Sequence, residues 1–169
     1  MASAAPLNPL RWLGLPMIAC VLATSILAIP FRVFGLQLPE PVFALAPAFA
    51  WAVIRPSLLP PFALMGLGLF MDFLWGAPTG LWAACLLAAY APVLLFRNIL
   101  AGQSYMAMWV WYLGACAFAF LTGIYIMSLD SGVMPSLLAV AGQFVVTAAL
   151  FPFAHHLIER YEDADVRFR

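Results

Sequence analysis

The chain has 169 residues, of which 66% are hydrophobic and only 8% charged, and its seven arginines balance seven acidic side chains at a formal net charge of zero. So little polar surface excludes an ordinary soluble globular domain, and the neutral, sparse charge excludes the basic footprint of a nucleic-acid-binding protein. An all-α integral membrane protein is the class that remains, because a lipid-exposed backbone must satisfy its own hydrogen bonds.

Six apolar runs follow one another, and a helix crossing a hydrocarbon core of about 30 Å needs about 20 residues. The first, 12–31, comes after Arg11 but leads into Ile29-Pro30-Phe31-Arg32 rather than a small-residue cleavage site, so it is expected to stay as a helix and not to act as a signal peptide. The second, 41–54, is the shortest and contains Pro47, which predicts a broken or tilted helix held partly inside the bundle. The third and fourth are 58–75 and 80–96, and the fifth and sixth are 106–128 and 134–158. No fixed-period repeat divides them, so 1–169 reads as a single polytopic domain ending in a charged tail, 159–169.

Short cytoplasmic connections retain arginine and lysine, so the arginines orient the spans. With the N-terminus inside, Arg11, Arg55, Arg97, Arg160, Arg167 and Arg169 fall in the cytoplasm and only Arg32 outside, while Glu40 and Asp130 face out. Six spans then put both ends of the chain in the cytoplasm. The connections 32–40 and 97–105 are about nine residues each, too small for a soluble catalytic unit.

The polar side chains inside the runs are few. Cys20, Cys85 and Cys116 match no zinc or redox spacing and read as small buried hydrophobes. His155 and Glu159 share a helix face near the end of run six, but His155-His156 lacks the two-histidine spacing of a metalloprotease and reads as interfacial. Gln143 and Thr147, one turn apart, read as hydrogen-bonding glue between helices. No nucleophile has a base within reach and no metal set appears, so the chain is read as a non-enzyme without metal or cofactor.

Asp72 stands apart, a carboxylate inside the apolar stretch Gly66-Leu67-Gly68-Leu69-Phe70-Met71-Asp72-Phe73-Leu74-Trp75-Gly76-Ala77-Pro78-Thr79-Gly80. A charge at the centre of a span costs roughly 2.5 to 3.5 kcal/mol on insertion scales, so something must offset it. Gly68 lies one turn before it on the same face and lets another backbone approach. Three roles are open: anchoring the hairpin through turn amides near Thr79 and Gly80, lining an external-side pocket, or relaying a proton or ion without a second intramembrane carboxylate.

At these residues the chain resembles the rod shape-determining protein MreD family. The resemblance rests on Arg55-Pro56 opening a span, then Gly66-Leu67-Gly68-Leu69-Phe70-Met71-Asp72, then Gly76-Ala77-Pro78-Thr79-Gly80-Leu81; the rest of the chain agrees in architecture. It implies Arg55, Pro56, Gly66, Gly68, Asp72, Gly76, Pro78 and Gly80 as motif residues. It also implies a fold similar to the substrate-binding membrane subunits of vitamin-uptake (ECF-type) transporters. The function implied is that of an inner-membrane scaffold in bacterial cell elongation and peptidoglycan synthesis. Such a scaffold binds an MreC-like bitopic protein and connects through it to the MreB filament, and it is linked to a peptidoglycan glycosyltransferase and transpeptidase.

A scaffold of this kind needs a surface for a single partner helix. Ala83, Ala84 and Ala88 in run four offer small residues, as do Gly114 and the row Ala115, Ala119 and Gly123 in run five. The rival class is a carrier or binder of a lipid or small molecule, with Asp72 and Gln143 facing one external-side pocket.

Overall fold

The computed structural model describes residues 10–27, 32–33, 36–37, 40–54, 57–100, 102–131 and 136–166. Each of the six apolar runs forms helix. A π-helical turn, Leu10–Gly14, leads into α1 (Leu15–Leu27); α2 is Leu45–Ile54, α3 Leu59–Trp75, α4 Leu81–Leu100, α5 Tyr105–Ser131, α6 Leu137–Ala148 and α7 Phe151–Val166. Between α1 and α2 lies a two-rung antiparallel ladder, β1 (Arg32–Val33) with β2 (Leu36–Gln37), in the segment read as a plain connection. Three stretches are long and apolar enough to cross a membrane: Leu81–Leu100, Tyr105–Asp130 and Leu137–Arg160.

The second run differs from its expectation. Pro47 does not interrupt the helix; it occupies the first turn of α2, where a backbone N–H would have no intrahelical acceptor. The ten residues of α2 rise only about 15 Å at 1.5 Å per residue, half the hydrocarbon thickness. They are apolar on every side, and Leu45 through Ala52 are all buried. A helix without a polar face belongs inside other protein, and α2 packs among α3, α4, α5 and α7. It is the core of the bundle rather than part of its wall.

The contacts along α2 orient its neighbours. Trp51 Nε1–H donates to the Trp12 carbonyl at 3.1 Å, while near the other end of α2 the Cys20 thiol lies 3.7 Å from the Phe43 carbonyl, so α1 runs antiparallel to α2. The Trp12 carbonyl is available because the residue four positions on, Pro16, has no N–H to give it. One cleft brings together Val53 of α2, Leu100 of α4, Met108 of α5 and Ile158 of α7. The C-terminal ends of α2 and α4 and the middle of α7 therefore gather with the start of α5, and the Trp12–Trp51 bond brings the turn before α1 to the same end. Arg97 and Arg160 lie on this arginine end, and Arg97 in the last turn of α4 complements the negative end of that helix.

The sixth run is two helices, not one. Pro152 has no N–H for the Ala148 carbonyl, so the ladder breaks at Ala149–Leu150 and restarts as α7. Leu150 N–H instead makes a tight turn to the Thr147 carbonyl at 3.0 Å. Thr147 is fully buried at this break and ties three elements together. Its hydroxyl donates to the Gln143 carbonyl at 2.7 Å and accepts the Val42 N–H at 3.0 Å, and its carbonyl accepts the Tyr112 hydroxyl at 3.0 Å. α4 also runs past the expected end to Leu100, and α7 carries helix into the charged tail.

Thr147→Val leaves the buried Val42 N–H without an acceptor and is expected to cost about 1–3 kcal/mol. Thermal unfolding of the detergent-solubilised protein measures it, and a valine variant as stable as Thr147→Ser contradicts the assignment.

Candidate functional site

The motif stretch folds as the α3–α4 hairpin, in which the Asp72 carboxylate and the turn amides each have a geometric task, while the Trp75 indole N–H is buried without a hydrogen-bond partner among the described residues. α3 stops at Gly76, whose φ of +63° is a left-handed conformation that side chains disfavour, and the N–H groups of Gly76 and Ala77 both turn back to the Asp72 carbonyl. The chain crosses Pro78, whose carbonyl accepts the Leu81 N–H at 3.1 Å, and reaches Gly80 at a φ of +95°. α4 begins there, and the Gly80 and Trp82 amides find no backbone acceptor.

Asp72 supplies the missing acceptors. Oδ2 accepts the Gly80 N–H at 2.7 Å and Oδ1 accepts the Trp82 N–H at 2.8 Å. The carboxylate caps a helix other than its own, and the positive end of the α4 dipole favours its charge. Both oxygens are used and Asp72 is 1% exposed, so the offset demanded by a charge in an apolar span is the start of the next helix.

Gly68 explains how α3 comes close enough. A Cβ built there meets the Cα and N of Ala83 at 2.3 Å and the carbonyl carbon of Trp82 at 2.8 Å, so the two helix backbones touch at this point. Trp75 and Trp82 close the outer side edge to face, with ring centroids 5.1 Å apart. Gly66 has open space where a Cβ would project and takes no part in this contact. Of the remaining motif residues, Arg55 and Pro56 lie outside the described residues.

A laterally open cleft of about 110 Å³ lies beside the hairpin, between α4, α5 and α6. Trp82, Ala119, Gly123, Val140 and Gln143 are among its walls. Asp72 is not, so the structure does not bring Asp72 and Gln143 to one pocket; the carboxylate faces the turn amides. Within the small-residue row, Ala115 and Ala119 are buried and a Cβ on Gly123 stands 3.2 Å from Cys85 Sγ, so the row packs inside the bundle and only Ala119 and Gly123 reach the cleft.

At the arginine end, His155 Nε2 lies 3.2 Å from Glu159 Oε1, and the imidazole stacks on Phe151 with Tyr105 edge-on. Cys20, Cys85 and Cys116 are free and buried. Among the described residues no group of three or more His, Cys, Asp or Glu side chains could hold a metal ion.

Searches against models of protein families, curated proteins and solved structures return no match to this chain.

Sequence reasoning located Asp72, Gly68 and the turn, since a glycine one turn before a carboxylate already asks for a close backbone. It did not find Ala83 as the residue that Gly68 meets, nor the Trp12–Trp51 bond. Those depend on how distant segments align, for which the only signal was Pro16, a residue that frees a carbonyl.

Gly68→Ala is expected to cost more than about 3 kcal/mol, because its methyl meets backbone that no rotamer change can move. Gly66→Ala should stay within about 1 kcal/mol of the parent or stabilise it, since its Cβ meets nothing and alanine favours helix. Equal unfolding temperatures for the two variants would remove the close-approach argument. Asp72→Asn turns an N–H group toward one of the two amides and should lose about 1–3 kcal/mol; an unfolding curve superimposable on the parent's would show that the charge-assisted cap is dispensable.

Proposed function

We propose that this protein is a multi-pass, non-enzymatic scaffold of the bacterial inner membrane that helps maintain rod shape and direct peptidoglycan synthesis by binding an MreC-like bitopic protein. Through that partner it connects to the MreB filament and to the elongation glycosyltransferase and transpeptidase. The observation that carries this reading is the hairpin. Four of the residues on which the MreD resemblance rests, Gly68, Asp72, Gly76 and Gly80, are spent on locking α3 to α4. A motif whose one carboxylate is consumed by backbone amides suits a shape-bearing scaffold better than a catalyst.

The proposed topology has six crossings with both ends in the cytoplasm. The gathering of Arg97 and Arg160 at one end supports it, as does the alternation in direction of α1 through α5 and α6–α7. The second crossing cannot be a full helix. It uses α2 together with the non-helical lead-in that includes Val42 and Ala44, both fully buried, and non-helical backbone is tolerated at membrane depth when protein covers it. Asp72 then lies near the external end.

Depletion in a rod-shaped host should give rounded cells, and affinity capture of the tagged protein should recover the MreC-like partner. Cells that keep their rod shape, with no such partner captured, would sink the proposal.

A further inference from the structure

Of the seven helices, α6 is the one fixed at a single end. At its C-terminal end Thr147 is fully buried, and its bonds to Val42 and Tyr112 tie the helix to the segment before α2 and to α5. No other residue of α6 is buried, and toward its start Leu137 and Leu138 face outward. The Ser136 side chain that opens the helix makes no capping bond, whereas the first turn of α4 is pinned to α3 by Asp72. Beyond the break, α7 packs along α2 and buries Phe151, Ala154, Leu157 and Ile158.

The packing on the two sides of α6 is unequal. Phe144 meets Phe120 of α5 edge to face, with ring centroids 5.9 Å apart, and α5 is the main neighbour of α6. Toward α4 lies the cleft of about 110 Å³, with Leu81, Trp82 and Cys85 on the α4 wall and Val140 and Gln143 on the α6 wall. Membrane helices are held together by close packing and hydrogen bonds, so a side that meets a void contributes little cohesion. An element with few packed contacts moves at low free-energy cost. The hinge for such a motion is already present. Pro152 leaves the Ala148 carbonyl without its N–H, and the break at Ala149–Leu150 separates α6 from α7. Each helix keeps its own ladder, so α6 can tilt while α7 stays on α2.

We propose that α6 is a lateral gate. It pivots at Ala149–Leu150 about the buried Thr147, and its start swings toward and away from α4, narrowing and widening the cleft.

Spin-label distance measurements on the full chain in lipid nanodiscs test this. The buried Cys20, Cys85 and Cys116 are replaced by alanine, and one label goes on Phe73→Cys, on the outward face of the locked α3. The second goes either on Leu138→Cys near the start of α6 or on Tyr125→Cys in α5, both exposed positions. The α3–α6 distances should be spread about twice as widely as the α3–α5 distances, which share the label chemistry and the α3 reference. Pro152→Ala returns an N–H to the Ala148 carbonyl and joins α6 to α7, so it should narrow the α3–α6 spread to that of the α3–α5 pair. An α3–α6 distribution as narrow as the α3–α5 one in the chain that keeps Pro152 overturns the gate, and this comparison decides alone if Pro152→Ala does not fold. A wide spread that a folded Pro152→Ala leaves unchanged overturns the hinge at Ala149–Leu150 and the proposal with it.

Discussion

The Asp72 carboxylate and the two amides at the start of α4 solve each other's problem. A charge inside an apolar helix and a helix start with unpaired N–H groups are each expensive away from water, and bonds of 2.7 and 2.8 Å cancel both at once. The arrangement works only because Gly68 lets the α3 backbone rest on Ala83, one turn from the carboxylate. α4 in turn packs against α2, α3 and α5, so the placement of its first turn propagates through the bundle.

The same constraint explains the interior. In an apolar environment a chain that leaves regular helix must find partners for its backbone, and the segment before α2 finds one in the Thr147 hydroxyl. Thr147 is available because Pro152 ends α6 just beyond it. Two prolines that look like interruptions in the sequence are thus constructive. Pro16 frees the carbonyl that receives Trp51, and Pro152 makes the break that places Thr147 against Val42 and Tyr112.

Much of this was legible in the residues. The hairpin site was visible because a carboxylate in an apolar run, a glycine on its face and glycines in the following turn each have a local physical meaning. The helical character of the runs followed from composition. The role of Pro47 was not legible, because a proline three residues into a helix and one that breaks a longer helix look alike until the start of the helix is known. The separation of α6 from α7 was hidden for a related reason: the apolar run continues through Pro152 without a polar residue to mark the turn. The small-residue row of α5 could have faced either way, since small side chains permit close packing without saying which neighbour takes it.

By itself, then, the sequence determined an apolar helical chain, the segments that form its helices, and the position where a buried charge had to be answered, because those follow from local composition and the cost of exposing polar groups to hydrocarbon. Only the tertiary structure decided that the answer is the first turn of α4, that the shortest run is the core, and that Gln143 looks into a cleft while Asp72 does not. These depend on which backbones touch, and at Gly68 and Thr147 that contact is set by packing between segments far apart in the chain.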